Sequence, residues 1–235
     1  MSQPLRVVAI DGPAGTGKST TARRVASTLG WLFVDSGAFY RAAALLTLRL
    51  ELDPERGEDR SALREALADA KIEQEQVGGR LHTRLDGEDV TDAIRSPAVT
   101  SIVTRVADDP DLREIINVAL RRRVGRGPAV VEGRDIGTVV CPEAFLKVYL
   151  DASLEERARR RAAEAEPPGR AADPAVVASY AQAIAERDRA DRARPIGTLA
   201  AAPDAVHIDT NTLDLDTQVA RVLHLIHDRG SGTGA

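Results

Sequence analysis

The first twenty residues constrain this chain more than any other segment. Leu5-Arg6-Val7-Val8-Ala9-Ile10 is a short β-branched apolar run, followed at once by glycines, as a buried parallel strand should be. The segment Gly12-Pro13-Ala14-Gly15-Thr16-Gly17-Lys18-Ser19 satisfies G-x-x-x-x-G-K-[ST] in full. Beyond it, Ala22, Val25, Ala26 and Leu29 recur at helical spacing, with Gly30 where a C-cap belongs. Strand, glycine loop and helix in that order are the context in which backbone N–H groups and a helix N-terminus surround phosphate oxygens. Lys18 then adds a point charge at the β and γ phosphates, and the Ser19 hydroxyl can ligate Mg²⁺.

The next elements extend this opening into a parallel α/β fold. Trp31 to Val34 reads as a second strand and Ala38 to Leu50 as a second helix, with another helix over Asp59 to Ala70. The pattern then changes. Ile72 to Val77 and Arg80 to Leu85 alternate apolar and polar residues, with Gly78-Gly79 between them and Asp86-Gly87 after. This predicts antiparallel hairpins with tight turns, an insertion over roughly residues 71–96. Ser96-Pro97 is a helix start, with a capping hydroxyl and proline at the first helical position. Helices to Val106 and over Asp111 to Val124 follow, then strands at Ala129 to Glu132 and Leu146 to Leu150. Leu154 to Glu166 is arginine-rich and helical, Pro167-Pro168-Gly169 breaks it, and Pro174 to Ala190 is helical again. Ala205 to Asp209 supplies a last strand, Leu213 to His227 a last helix, and residues 229–235 a disordered tail.

At 235 residues the chain holds one well-buried core with room for a small insertion. A net charge of -4 argues against a general nucleic-acid binder, though not against small anions held by a local arginine cluster. The single cysteine, Cys141, forbids an internal disulfide and reads as a small core residue in a reducing compartment. No apolar run approaches the roughly 20 residues needed to span a membrane, and the early strand leaves no room for a signal peptide. A cytoplasmic location is therefore expected. His82, His207, His224 and His227 form no metal-ligand set, and Arg121-Arg122-Arg123 reads as surface.

The glycine loop specifies a nucleotide but not a reaction. The Asn-Lys-x-Asp guanine motif of a GTPase is missing, and a large ATPase motor needs a longer chain. A small kinase instead needs an acceptor pocket and arginines that hold two anions together. Asp35-Ser36-Gly37-Ala38-Phe39-Tyr40-Arg41 ends the second strand, where ligands of a parallel sheet sit, so Ser36, Tyr40 and Arg41 are candidates for an acceptor phosphate. Asp35 as a simple helix cap is the competing account. Glu132-Gly133-Arg134-Asp135-Ile136-Gly137-Thr138 repeats the arrangement at another strand end, with a structural ion pair as the alternative for its arginine.

The strings IDGPAGTGKST, DSGAFYR, LDGEDVTDAIR, VEGRDIGT, LDASLEERARRR and ERDRADRAR resemble, in the same order, those of the bacterial cytidylate kinases. The resemblance runs from about Val7 to the final helix. It implies a P-loop NTPase-type α/β fold: a parallel sheet flanked by helices, with a small inserted antiparallel subdomain that binds the nucleoside monophosphate, and a helical lid. The core would comprise residues 4–70, 97–150 and 190–228, the insertion 71–96 and the lid 154–189. ATP would lie on Gly12 through Thr20, with Arg157 and Arg161 of the lid. Ser36, Arg41 and Arg134 match the family's contacts to the CMP phosphate, and Thr104, Arg113, Asp135 and Arg194 match residues around the cytosine. Arg187 and Asp191 match contacts to the sugar hydroxyls. The family often has serine where this chain has Thr104, and an aliphatic residue or methionine where Phe39 stands, a packing position.

What the resemblance implies is a monomeric kinase that moves the γ-phosphoryl group of ATP to CMP, and to dCMP, with Mg²⁺. Lys18, Arg134 and Arg157 would be catalytic. Two other readings stay open at this point: a small P-loop kinase for UMP, AMP or a hydroxylated metabolite, and a nucleotide-dependent module that switches without transferring phosphate.

Overall fold

The computed structural model describes residues 6–167, 170 and 172–231. In chain order its elements are β1 (Val7–Asp11), α1 (Lys18–Leu29), β2 (Leu32–Asp35), α2 (Ser36–Arg49), α3 (Gly57–Asp69), β3 (Ile72–Val77), β4 (Arg80–Leu85), β5 (Glu88–Asp89), α4 (Pro97–Asp108), α5 (Pro110–Val124), β6 (Ala129–Glu132), β7 (Leu146–Asp151), α6 (Leu154–Ala165), α7 (Pro174–Ala193), β8 (Val206–Asp209) and α8 (Leu215–Ser231). A 3₁₀ turn at Ala93–Arg95 and a π-helical turn at Ile136–Val140 complete them. The described residues divide into two compact units, residues 6–31 with 130–231, and residues 32–129.

The first unit is a parallel sheet flanked by helices, with strand neighbours in the order β6-β1-β7-β8. β1 and β7 pair in parallel with Val8 opposite Leu146, and β7 and β8 with Val148 opposite Val206. Every residue of β1 is buried, which is why it carries a continuous apolar run rather than an alternating one. On α1, Ala22, Val25 and Ala26 face the core, and Gly30 ends the helix in the left-handed conformation expected of a C-cap. α8 packs on α1 and β7, and Gln218 accepts from the Thr21 hydroxyl at 3.1 Å.

In the second unit α2 is buried along most of its length and packs on α4 and α5. Phe39 is fully buried, so the packing role expected of it holds. The antiparallel sheet β3-β4-β5 matches the alternation read from the sequence. Val77 lies opposite Arg80 across Gly78-Gly79, and both glycines have positive φ, the geometry of a two-residue hairpin turn. Asp86-Gly87 does the same between β4 and β5. Ser96 caps α4 by accepting from Val99 N, with Pro97 at the first helical position.

Four local features differ from expectation. α2 begins at Ser36 rather than Ala38, because the Asp35 carboxylate accepts from Ala38 N at 3.1 Å and caps it there. The π-helical turn after Asp135 has no periodic signature in so short a stretch. It leaves Cys141, expected in the core, only half-buried. α8 continues through Ser231, tied down by Arg229 donating to Phe145 O and by the Ser231 hydroxyl donating to His227 O; residues 232–235 lie outside the described residues. Of the expected break at Pro167-Pro168-Gly169, Pro168 and Gly169 also lie outside them, while α6 ends at Ala165. Among the described residues no helix is long and apolar enough to cross a membrane.

Candidate active site

β1 delivers the chain directly into the glycine loop, where two of the glycines have no room for a side chain. A Cβ on Gly12, at φ +143°, would lie 2.0 Å from Leu150 O, and one on Gly15, at φ +84°, would lie 2.9 Å from Arg157 Cβ. Lys18 opens α1 and is 5 % exposed, its Nζ donating to Pro13 O at 2.6 Å. Burial holds its ammonium well below the usual lysine range. The positive charges of Arg134 and Arg187 push the same way, against Glu132 and Asp11. A phosphate bound here would favour the charged form of Lys18. The exposed Ser19 donates its hydroxyl proton to Glu132 Oε1 at 2.5 Å. These are two hard oxygen donors at the mouth of the loop, and they fit Mg²⁺.

Beside Gly17 and Thr20 a cleft of about 420 Å³ opens between Arg159 and Arg160 on one side and the segment Asn211 to Leu215 on the other. The α6 arginines behave differently from one another. Arg157 is 6 % exposed, paired with Asp188 Oδ2 at 2.6 Å, and donates to Ala152 O and to Ala14 O of the glycine loop, each at 3.1 Å. Arg160 holds Glu156 at 2.7 Å and also Thr210, while the exposed Arg161 pairs with Glu164.

The same unit brings three of the acceptor candidates together. The buried Asp191 carboxylate bridges Arg134 Nε at 3.1 Å and Arg194 Nη2 at 2.7 Å. Asp135 is buried at the head of the π-helical turn, and Arg187 is exposed on α7. Thr16 Oγ1 donates to Pro13 O at 3.1 Å inside the loop.

In the unit of residues 32–129, Ser36 and Tyr40 are buried on the first turns of α2. The Tyr40 hydroxyl donates to Asn117 Oδ1 at 2.9 Å, and the Arg113 guanidinium lies over the Tyr40 ring, 5.0 Å from its centre. Arg41 donates to Ile94 O at 3.2 Å and to Thr100 Oγ1 at 2.9 Å. Burial, and next the like charge of Arg95, lower its affinity for its proton, against Asp35. Thr104 is half-buried on α4.

Four residues with evident roles were not singled out from sequence: Asp11, Asn117, Glu132 and Asp188. Glu132 and Asp11 are the C-terminal residues of neighbouring parallel strands, and that position was the available signal. Asn117 and Asp188 carry none, since each is defined by a partner distant in sequence. The exposed His224 pairs with Asp228 at 3.3 Å, and His82 with Asp89 at 2.6 Å.

Known proteins resemble the chain along nearly its whole length. The family model described as cytidylate kinase matches residues 8–228. The chain is 45% identical over 220 residues to a cytidylate kinase from Symbiobacterium thermophilum, covering 92% of this chain and 94% of that protein. It is 42% identical over 232 residues to a bifunctional pantoate ligase/cytidylate kinase from Synechococcus elongatus, covering 96% of this chain but spanning only 43% of that protein. A crystal structure of an uncharacterized protein from Eubacterium ventriosum shares the fold, with a TM-score of 0.52 at 12% identity over 96% of this chain and 99% of that one. With the match reaching from the first strand into the last helix, the chain belongs to the cytidylate kinase family.

Proposed function

We propose that the chain transfers the γ-phosphoryl group of ATP to CMP, and to dCMP, as a nucleoside monophosphate kinase. One observation carries this: the phosphate loop and the Arg134–Asp191–Arg194 cluster occur together in a chain whose family match runs over residues 8–228. The acceptor phosphate oxygen is already a nucleophile, so no covalent enzyme intermediate is needed. Catalysis is alignment plus charge stabilisation.

Gly12 through Thr20 hold the triphosphate, and Lys18 places its charge at the β and γ phosphates. Ser19 and Glu132 would hold Mg²⁺, which when bound neutralises charge on the phosphates. Asp191 keeps Arg134 and Arg194 extended, so that Arg134 reaches the acceptor phosphate and Arg194, with Asp135, the base. Arg187 and Asp191 face the sugar. In the other unit Ser36, Tyr40 and Arg41 serve the acceptor phosphate, and Thr104 and Arg113 the cytosine. The α6–α7 pair acts as a lid that excludes water, with Arg157 and Arg161 meeting the triphosphate. The same reading makes the enzyme a cytoplasmic monomer without nucleic-acid or membrane partners.

Incubation with γ-labelled ATP and CMP tests the reaction directly. The label should appear in CDP. Label released mainly as inorganic phosphate, or retained in ATP, contradicts the proposal.

A further inference from the structure

Asp11 is the last residue of β1, one bond before the glycine loop, and 4 % exposed. Its two carboxylate oxygens are used separately. Oδ1 accepts from Ile136 N at 2.9 Å and Oδ2 from Gly137 N at 2.7 Å. These are the first two residues of the π-helical turn, directly after Arg134 and Asp135. The turn is seated closely: a Cβ on Gly137 would lie 3.1 Å from Lys147 Cδ and 3.4 Å from Asp11 Oδ2. The residue after Asp11 is as closely seated, since a Cβ on Gly12 would lie 2.0 Å from Leu150 O. One carboxylate thus joins the backbone that begins the phosphate loop to the backbone that carries two acceptor residues.

We propose that Asp11 is a positioning residue for the acceptor, its ionised carboxylate setting where the turn bearing Arg134 and Asp135 stands. This rests on the CMP reading of those two side chains. The carboxylate must be ionised, because a proton on either oxygen replaces an acceptor with a donor facing an N–H group. Burial raises Asp11 to about 6, opposed by the two N–H bonds; Asp135 pushes it further up and Lys18 pulls it down. Tyr149 and Lys147 face it from β7, and the Lys147 ammonium is engaged by Asp204 at 2.8 Å. Glu132 and Arg134 act on the same cluster through Lys18.

The test is Asp11→Asn, which keeps the volume and opposes one N–H with an amide. Affinity for a fluorescent ATP analogue should stay within about twofold. The KM for CMP should rise roughly tenfold at pH 8, a lost hydrogen bond to a charged group, with kcat changed less. The acceptor phosphate itself titrates near pH 6, so the informative quantity is the ratio of variant to wild-type KM at each pH. That ratio should fall to within about twofold at pH 5, where the wild-type carboxylate is protonated. A ratio that does not change with pH, or ATP affinity lost in parallel with CMP, overturns the proposal.

Amide exchange in the wild type supplies a second measurement should the variant fold poorly. Protection of Ile136 and Gly137, corrected for intrinsic rate and taken relative to the β1 amides, should drop between pH 7 and pH 5, and a constant ratio overturns the proposal. Arg134→Lys separates the two layers of inference. Wild type that does not phosphorylate CMP overturns the acceptor reading, and this proposal with it. A KM raised by Arg134→Lys but untouched by Asp11→Asn overturns the role of Asp11 alone.

Discussion

Removing the Asp188 carboxylate should destabilise the protein by an amount the structure bounds. Asp188 and Arg157 are 2% and 7% exposed at the side chain, and their 2.6 Å contact is a buried ion pair. Deleting one partner of such a pair typically costs about 3–5 kcal/mol, because the other charge is left uncompensated. Two features reduce that here. Arg157 keeps the carbonyls of Ala152 and Ala14 as neutral acceptors, and a cleft of about 550 Å³ lined by both residues lets water reach the vacated space. A cost of about 2–3 kcal/mol remains for Asp188→Ala. In a protein of this size each kcal/mol moves Tm by about 2–4 °C, so calorimetry should show a drop of roughly 4–12 °C. The double variant Arg157→Met/Asp188→Leu should recover most of it, since replacing both charges with apolar groups leaves nothing unpaired. A single variant within about 1 °C of wild type, or a double variant as unstable as the single, refutes the reasoning.

Lys18→Ala should lower turnover by orders of magnitude while the circular dichroism spectrum is unchanged; near-normal turnover removes Lys18 from the phosphate site. Glu132→Gln should raise the Mg²⁺ concentration needed for half-maximal rate by about 10-fold or more, as loss of a supporting ligand does, with the dependence on CMP little affected. Asp191→Ala should alter kcat/KM for CMP and dCMP unequally if the carboxylate meets the sugar hydroxyls, whereas equal losses would assign it to holding Arg134 and Arg194 alone. The stability contributed by Asp11, with its folded value raised to about 6, is fully present below its unfolded value of about 4 and is lost as pH rises through 6. Urea unfolding should therefore show wild type losing about 1 kcal/mol relative to Asp11→Asn between pH 5 and pH 8, and a constant difference contradicts it.

The glycine loop and the two hairpin turns were legible because local chemistry decides them: only glycine suits the backbone at Gly12 and Gly15, and Gly78-Gly79 needs positive φ at both positions. The cap on α4 was equally local, in Ser96 and Pro97. What escaped depends on partners distant in sequence. Asp11 and the turn it holds are 125 residues apart, and Ser19 and Glu132 are 113 apart, so no window around either residue shows the pairing. Asp35 illustrates the middle case. As a cap it is what the structure shows, and because β2 ends at Asp35 it also sets Ser36, Tyr40 and Arg41 on the first turns of α2, directly after the strand end. Arg157, expected to meet ATP from the lid, lies on α6 as a buried cation bonded to Asp188 and to Ala14 O of the glycine loop, partners 31 and 143 residues away.

The central claim is that the acceptor half of the site is made for a cytosine nucleotide. Release of ADP, coupled to NADH oxidation, should be followed with CMP, dCMP, UMP and AMP at equal concentrations. The account predicts the highest kcat/KM with CMP, then dCMP, and at least about tenfold less with UMP and AMP, because a site built to bond an exocyclic amine leaves polar groups unpaired around a base that lacks it in that place. A preference for UMP or AMP, or ADP release indifferent to any acceptor, contradicts it.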